Sequence, residues 1–370
     1  MQNRIRSVLL AALVGTMPLA AQTRTVSEAE VKRVHASALL IDTHDDFPTE
    51  QAGNDRRAGM AIDIGVPSPM AHTDLARLRE GGVGGVFFAA YVAASYGLGP
   101  QAYQRGLEVI GTIHHLVDQY PNDFAFATTA AQIEAAHKQG KIAALIGVEG
   151  GHAIDDNLDK LREFYRRGAR YMTLTHTNTN HWADSSGDIS DPKVAHHNGL
   201  TDFGKDVVRE MNRLGMMVDI SHVADRTFYD ALAVSSAPLI ASHSACRALA
   251  DVPRNMTDEM IVELAKKGGV VQVNFYCNFL TNAKPPRATL DDVVAHIDHI
   301  RRIAGIDAIG IGSDFDGIDC APVGLEDVSK FPNLTRALLE KGYSAADIRK
   351  IYGGNLLRVM RAVEHVAAAK

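Results

Sequence analysis

The 370-residue chain has no Cys-x-x-Cys pair and only three cysteines, Cys246, Cys277 and Cys320. Their wide spacing follows no disulfide framework and supports no thiolate zinc site, although an exported chain can pair two and leave one free. There is no basic stripe: Lys and Arg are scattered and the formal net charge is −6, which argues against nucleic acid as a partner. No Gly-x-Gly-x-x-Gly follows the first apolar strand, so a doubly wound dinucleotide-binding sheet lacks its fingerprint. Long apolar runs are missing too. The N-terminal run from Val8 to Ala21 is broken by Gly15 and Pro18 and is too short for a comfortable membrane span. With Arg4 and Arg6 before it and Ala20, Ala21 and polar Gln22 at its end, it has the layout of a secretory signal peptide. Residues 1–21 are therefore expected to be a leader cleaved near Ala21, and residues 22–370 one folded domain, exported to the periplasm or beyond. The C-terminus carries no apolar tail, so no lipid or membrane anchor is expected.

What is present is a repeating alternation. Short apolar runs fall at Leu39–Asp42, Val83–Val92, Ile142–Gly147, Tyr171–Leu174, Met216–Ile220, Leu239–Ala241, Val270–Phe275 and Ala308–Ile311. Helical stretches separate most of them, beginning at Ser27 with a capping box completed by Glu30. Continuously apolar strands separated by helices predict a parallel sheet buried on both faces. Eight such units over this length predict an α/β fold of the closed (β/α)8, or TIM-barrel, type.

In such barrels chemistry sits at the C-terminal ends of the strands. Here the strand tips carry His44 and Asp46, then Glu149, His176, His222, His243 and Asp314. One polar tip is ordinary, but this many in register is not. His44, Asp46, Glu149, His222 and His243 exceed the three protein ligands of a mononuclear catalytic zinc site. They suit two ions, with His44 and Asp46 on one, His222 and His243 on the other, and Glu149 bridging. Two ions hold a water between them, lower its pKa and deliver hydroxide to a polarised carbonyl. Asp42 and Asp45 are expected to point away. Asp314 reads as the general acid/base, with Asp316 as its competitor. His176 reads as a donor to the developing oxyanion. Arg254, in Pro253–Arg254–Asn255, is suited to holding a carboxylate.

The ordered segments Asp-Thr-His-Asp-Asp-Phe-Pro (42–48), Gly-Val-Glu-Gly-Gly (147–151), Leu-Thr-His (174–176), Val-Asp-Ile-Ser-His (218–222), Ala-Ser-His-Ser (241–244), Pro-Arg-Asn (253–255) and Gly-Ser-Asp-Phe-Asp-Gly (312–317) resemble the membrane dipeptidase family, peptidase family M19. The resemblance is collinear from about residue 30 to 365. It implies an amidohydrolase-type barrel that cleaves dipeptides, L-Xaa-L-Xaa or L-Xaa-D-Xaa, with two zinc ions bridged by Glu149 and a water or hydroxide. It assigns the same five ligands. It places His176 and Arg254 against the substrate, with Arg254 on its C-terminal carboxylate, and makes Asp314 the acid/base. A homodimer is implied as well. His181 stands where the family more often has a small residue or proline, which bears on side-chain preference. The competing readings are a related binuclear hydrolase of another amide or lactone, and a non-catalytic binding protein of the envelope.

Overall fold

The structure, a computed structural model, describes residues 24–52, 63–285 and 287–369. The expected leader, with its cleavage point near Ala21, lies outside the described residues. Among them, no helix is long and apolar enough to cross a membrane.

Nine strands form one parallel sheet: β1 (Leu40–Asp45), β2 (Val83–Tyr91), β3 (Phe124–Phe126), β4 (Ile142–Glu149), β5 (Ala169–Thr173), β6 (Met217–Asp219), β7 (Ile240–Ser244), β8 (Val270–Val273) and β9 (Ile309–Ile311). They pair in the order β1-β2-β4-β5-β6-β7-β8-β9, with β3 attached to β4. The chain is thus a (β/α)8 barrel with one extra short strand. The ring closes between β1 and β9 through the parallel bridge Asp45–Phe315. There Asp314 N–H donates to His44 O (3.0 Å) and Asp46 N–H to Phe315 O (2.9 Å).

Alternation along each strand divides its side chains between two apolar layers. Ile41, Phe87, Ala143, Leu145, Tyr171, Met217, Ile240 and Val270 fill the barrel interior. Leu356, Leu357, Val359, Met360 and Val363 of the helix Asn355–Ala368 join the same cluster. Leu40, Val86, Ile142, Ala144, Ile146 and Val148 belong to the larger cluster shared with the surrounding helices. Glu149 is in phase with inward-facing Ala143 and Leu145, which aims its carboxylate along the barrel axis.

One local feature departs from the sequence reading, and two others add detail to it. Ser27 Oγ accepts the Glu30 N–H at 3.2 Å as a cap should, but the Glu30 carboxylate pairs with Arg24 at 2.6 Å instead of closing a capping box. On β1, Ile41 faces inward, and simple alternation would continue with Thr43 and Asp45. A register shift between Asp42 and Asp45 breaks that phase, and His44 and Asp46 reach the central site instead. Finally, Cys277 and Cys320 form a disulfide, while Cys246 is a buried free thiol. The bridge ties the loop after β8 to the loop after β9.

Candidate active site

The strand tips converge on Glu149, which is 4% exposed. Its Oε2 lies 3.5 Å from His44 Nε2. Its Oε1 lies 3.0 Å from His222 Nε2, 3.2 Å from His243 Nε2 and 3.9 Å from His176 Nε2. The two carboxylate oxygens therefore face different sets of imidazoles. Asp46 Oδ2 is 3.3 Å from His44 Nε2. Three candidate ligand triplets result, each with its atoms within 4.8 Å of one another: His44–Glu149–His243, Glu149–His176–His222 and His44–Asp46–Asp314.

Hydrogen bonds behind the histidines decide which nitrogen is available. Tyr171 Oη donates its single proton to Thr43 O (3.1 Å) and sits 2.8 Å from His44 Nδ1. In neutral His44 the ring hydrogen therefore lies on Nδ1 and the lone pair on Nε2. That Nε2 is buried and makes no hydrogen bond of normal geometry. A bare imidazole nitrogen between two carboxylates is an unmet demand for a cation, and a divalent metal meets it. His243 is held in the same manner. Ser242 Oγ donates to Asp219 Oδ2 (2.6 Å) and lies 2.8 Å from His243 Nδ1. Asp219 also accepts from Thr173 Oγ1 (2.5 Å), Ser221 N–H (3.0 Å) and Ser242 N–H (2.8 Å), so it is fixed on every side. Tyr171 and Asp219 are residues that sequence reasoning missed. A charged residue inside the apolar run before His222 was the available signal for Asp219.

The electrostatics show the same demand for positive charge beside His44. Burial by itself would depress His44, but Tyr171, Glu149 and Asp46 outweigh it and hold His44 well above the usual histidine range. Burial, reinforced by Arg254, keeps His222 and His243 well below that range, in the neutral form that a metal ligand needs. Burial favours protonation of Glu149, yet the surrounding imidazoles, His44 and His176 first and then His222 and His243, hold it well below the usual carboxylate range. Asp314 is pushed up to about 7 by burial, with Asp46 and Glu149 adding to the shift against the opposing His44.

Asp314 Oδ2 accepts from Asn274 Nδ2 at 2.8 Å. Its competitor Asp316 is held elsewhere, with Oδ1 accepting the His72 N–H at 2.7 Å. His222, Asp314 and Asp316 all have positive φ (65°, 67° and 63°). This left-handed conformation is uncommon outside glycine, and its recurrence here places backbone strain at the site. Gly317 is required by close approach: a Cβ there would lie 2.2 Å from Asp46 Oδ2 and 2.6 Å from Asp314 Oδ1. Asp42 and Asp45 stay out of the cluster. Asp42 accepts from Ser313 N–H and Oγ, and Asp45 from Thr73 Oγ1 and Phe47 N–H.

A cavity of about 150 Å³ opens at these groups, and its lining includes Tyr91, His176, Thr177, Tyr276, Phe279 and Ile318. His176 packs edge-on against Tyr91, and burial lowers it to about 4, so it is neutral. Arg254 lies over the Phe279 ring at 5.3 Å and donates from Nη2 to His243 O at 2.8 Å. Its Nε and Nη1 are buried without any hydrogen-bond partner. Burial lowers its pKa to about 10, a cost that Asp314 and Glu149 partly offset. Of the other histidines at this end, His181 is exposed and pairs with Asp156 at 2.6 Å, and His152 is buried.

Gly147 carries a prediction. A Cβ at this position would lie 1.9 Å from Tyr171 Cζ. Gly147→Ala therefore displaces the hydroxyl that orients His44. Metal affinity is expected to fall by about 10- to 100-fold, the usual effect of losing a ligand's orienting partner. Isothermal titration of the metal-stripped chain checks it.

A parallel barrel with buried histidines and carboxylates gathered at its strand tips defines a metal-dependent hydrolase. The comparisons narrow the class. The profile of the membrane dipeptidase family (peptidase family M19) matches residues 28–370, and the chain belongs to that family and is a dipeptidase. An uncharacterized dipeptidase of Schizosaccharomyces pombe is 39% identical over 360 residues, covering 94% of this chain and 85% of the relative. A probable dipeptidase of Pseudomonas aeruginosa, PvdM, superposes with TM-score 0.81 at 25% identity, over 92% of this chain and 98% of that one. A metallo peptidase of Rhodobacter sphaeroides, solved with a phosphinate mimic of the dipeptide L-Ala-D-Ala, gives TM-score 0.76 at 27% identity, over 88% of this chain and 99% of that one.

Proposed function

We propose that this dipeptidase hydrolyses L-Xaa-L-Xaa and L-Xaa-D-Xaa dipeptides with two zinc ions at the strand tips. The observation that carries the reading is the division of Glu149, one oxygen toward His44 and the other toward His222 and His243. His44 and Asp46 would hold one ion, His222 and His243 the other, and Glu149 both. Bound there, the pair supplies Lewis acidity and a water acidified to near neutrality.

The chain's own residues do the rest. Arg254, with Nε and Nη1 unmatched in a buried setting, takes the substrate's carboxylate. That contact fixes where a dipeptide ends. Neutral His176 donates a hydrogen bond to the carbonyl oxygen as negative charge builds on it. Asp314 accepts a proton from the attacking water and returns it to the departing amine. The Cys277–Cys320 disulfide supports export, because such bonds persist in oxidising compartments. Activity in the periplasm or outside the cell belongs to the same proposal.

The test is a library of L,L and L,D dipeptides, assayed with zinc and after chelation. Cleavage that disappears with chelator and returns with zinc is expected, and no cleavage of any member overturns the reading. Arg254→Ala separates it from hydrolysis of another amide or lactone. Loss of a charge-assisted contact worth about 1.5–3 kcal/mol should lower kcat/KM on free-carboxylate dipeptides by roughly 10- to 100-fold. An unchanged rate favours the other substrate class.

A further inference from the structure

Arg254 makes one hydrogen bond through its own side chain, so something else must hold it in place. The backbone on either side supplies the answer. Arg247 Nε donates to Asn255 O at 2.8 Å, and its Nη2 donates to Pro253 O at 3.0 Å. These carbonyls belong to the two residues flanking Arg254. The other edge of the same guanidinium forms a two-point pair with Asp225, Nη1 to Oδ2 at 2.7 Å and Nη2 to Oδ1 at 2.6 Å. Asp225 opens the helix Asp225–Val234, three residues after His222. One planar group therefore joins the loop that carries Arg254 to the helix that follows His222.

We propose that Arg247 is a positioning residue for the substrate-carboxylate site: its guanidinium clamps Pro253 O and Asn255 O onto Asp225 and so fixes Arg254 relative to His222. The inference rests on the reading of Arg254 as the carboxylate receptor. An isolated pair as exposed as this one (side-chain exposure 20% and 45%) contributes little to stability. Its geometry is another matter. Asparagine 255 adds to the clamp from the opposite side, since its Nδ2 donates to Ala250 O at 2.8 Å and to Phe279 O at 2.9 Å. Phe279 is the ring beneath the Arg254 guanidinium. The loop is thus gripped at both residues that flank Arg254, while Arg254 Nε and Nη1 stay unused. A lysine at 247 keeps the charge but cannot bridge these acceptors, because its ammonium is a point donor and not a fork.

The experiment uses the zinc-loaded full chain and two probes: a phosphinate dipeptide mimic with a free carboxylate, and the same mimic as a C-terminal carboxamide. Dissociation constants are measured for the unsubstituted chain, R247A, R247K, R254A and R247A/R254A. R247A and R247K are each expected to weaken the carboxylate probe by about tenfold or more, the scale of one misplaced charge-assisted contact. The carboxamide probe should bind them as it binds the unsubstituted chain. In the R254A background, R247A should add nothing, because it acts only through Arg254. With dipeptide substrates the loss should appear mainly in KM. If R254A weakens the carboxylate probe and R247A does not, the positioning role is overturned. Equal weakening of both probes by R247A overturns it too, since that marks a general loss of structure. If R254A has no effect, the carboxylate reading of Arg254 falls and this inference falls with it. Should R247A fail to fold, Asp225→Asn gives the same test by cutting the anchor and leaving the arginine.

Discussion

Glu149→Gln is expected to give a folded protein with fewer than two metal ions per chain and almost no dipeptidase activity. Glutamine matches the shape but offers one neutral oxygen and an amide nitrogen. In the native site one carboxylate oxygen faces His44 and the other faces His222 and His243. No orientation of an amide satisfies both sides, and the negative charge that holds two cations near each other is gone. Metal activation is worth several kcal/mol of barrier, so at 1.36 kcal/mol per tenfold the rate should fall by about 10³ or more. Elemental analysis and steady-state rates check the two parts separately. Two ions per chain with a normal rate would remove Glu149 from the centre of the proposal.

The second large effect belongs to Asp314→Asn. Here metal content should remain at two per chain while kcat drops by about 10²- to 10⁴-fold, the range of general acid–base catalysis. Asparagine is the right probe because the residue sits at φ 67°, a conformation that asparagine tolerates and alanine resists. It also keeps an oxygen for the Asn274 amide, which donates to Asp314 Oδ2. Asp314 lies within ligand distance of His44 and Asp46. A variant that loses metal along with activity would make Asp314 a ligand, and the proton-transfer role would pass elsewhere. Product-burst and pH-rate measurements on the metal-replete variant complete the distinction.

How much of this could be read from the amino acids alone varies with the kind of interaction. The barrel strands were legible because each is a short, continuously apolar run with a helix behind it. β3, Phe124–Phe126, was not, because three residues with only the first fully buried leave no periodicity to detect. The polar strand tips were legible for the same reason as the strands, since a ligand type at the end of an apolar run stands out. Their phase was less so. On β1 the register shift between Asp42 and Asp45 decides which residues reach the centre, and no pattern in the run announces it. The residues that hold the imidazoles were hidden for a deeper reason. Tyr171 reads as an ordinary strand aromatic until the fold brings it against Thr43 and His44, 127 positions away. Arg247 likewise reads as a surface arginine until its fork meets Asp225 and the two carbonyls beside Arg254.

The seam of the ring has a consequence for the order in which the protein assembles. β1 and β9 meet at His44, Asp45 and Asp46 on one side and Asp314 and Phe315 on the other, so the last closure of the barrel runs through the candidate site. The side chains that span it, such as Asp42 and Ser313, are separated by 271 residues. Such contacts have a high loop-closure cost and form late. An open ring can present His222, His243 and Glu149, but His44 and Asp46 come into register with Asp314 only when the first strand meets the last. A metal ion that engages both halves binds the closed form in preference to the open one and stabilises it by mass action. A bound metal would then be a latch on the ring as well as a reagent, and ring closure and metal loading would be two sides of one step.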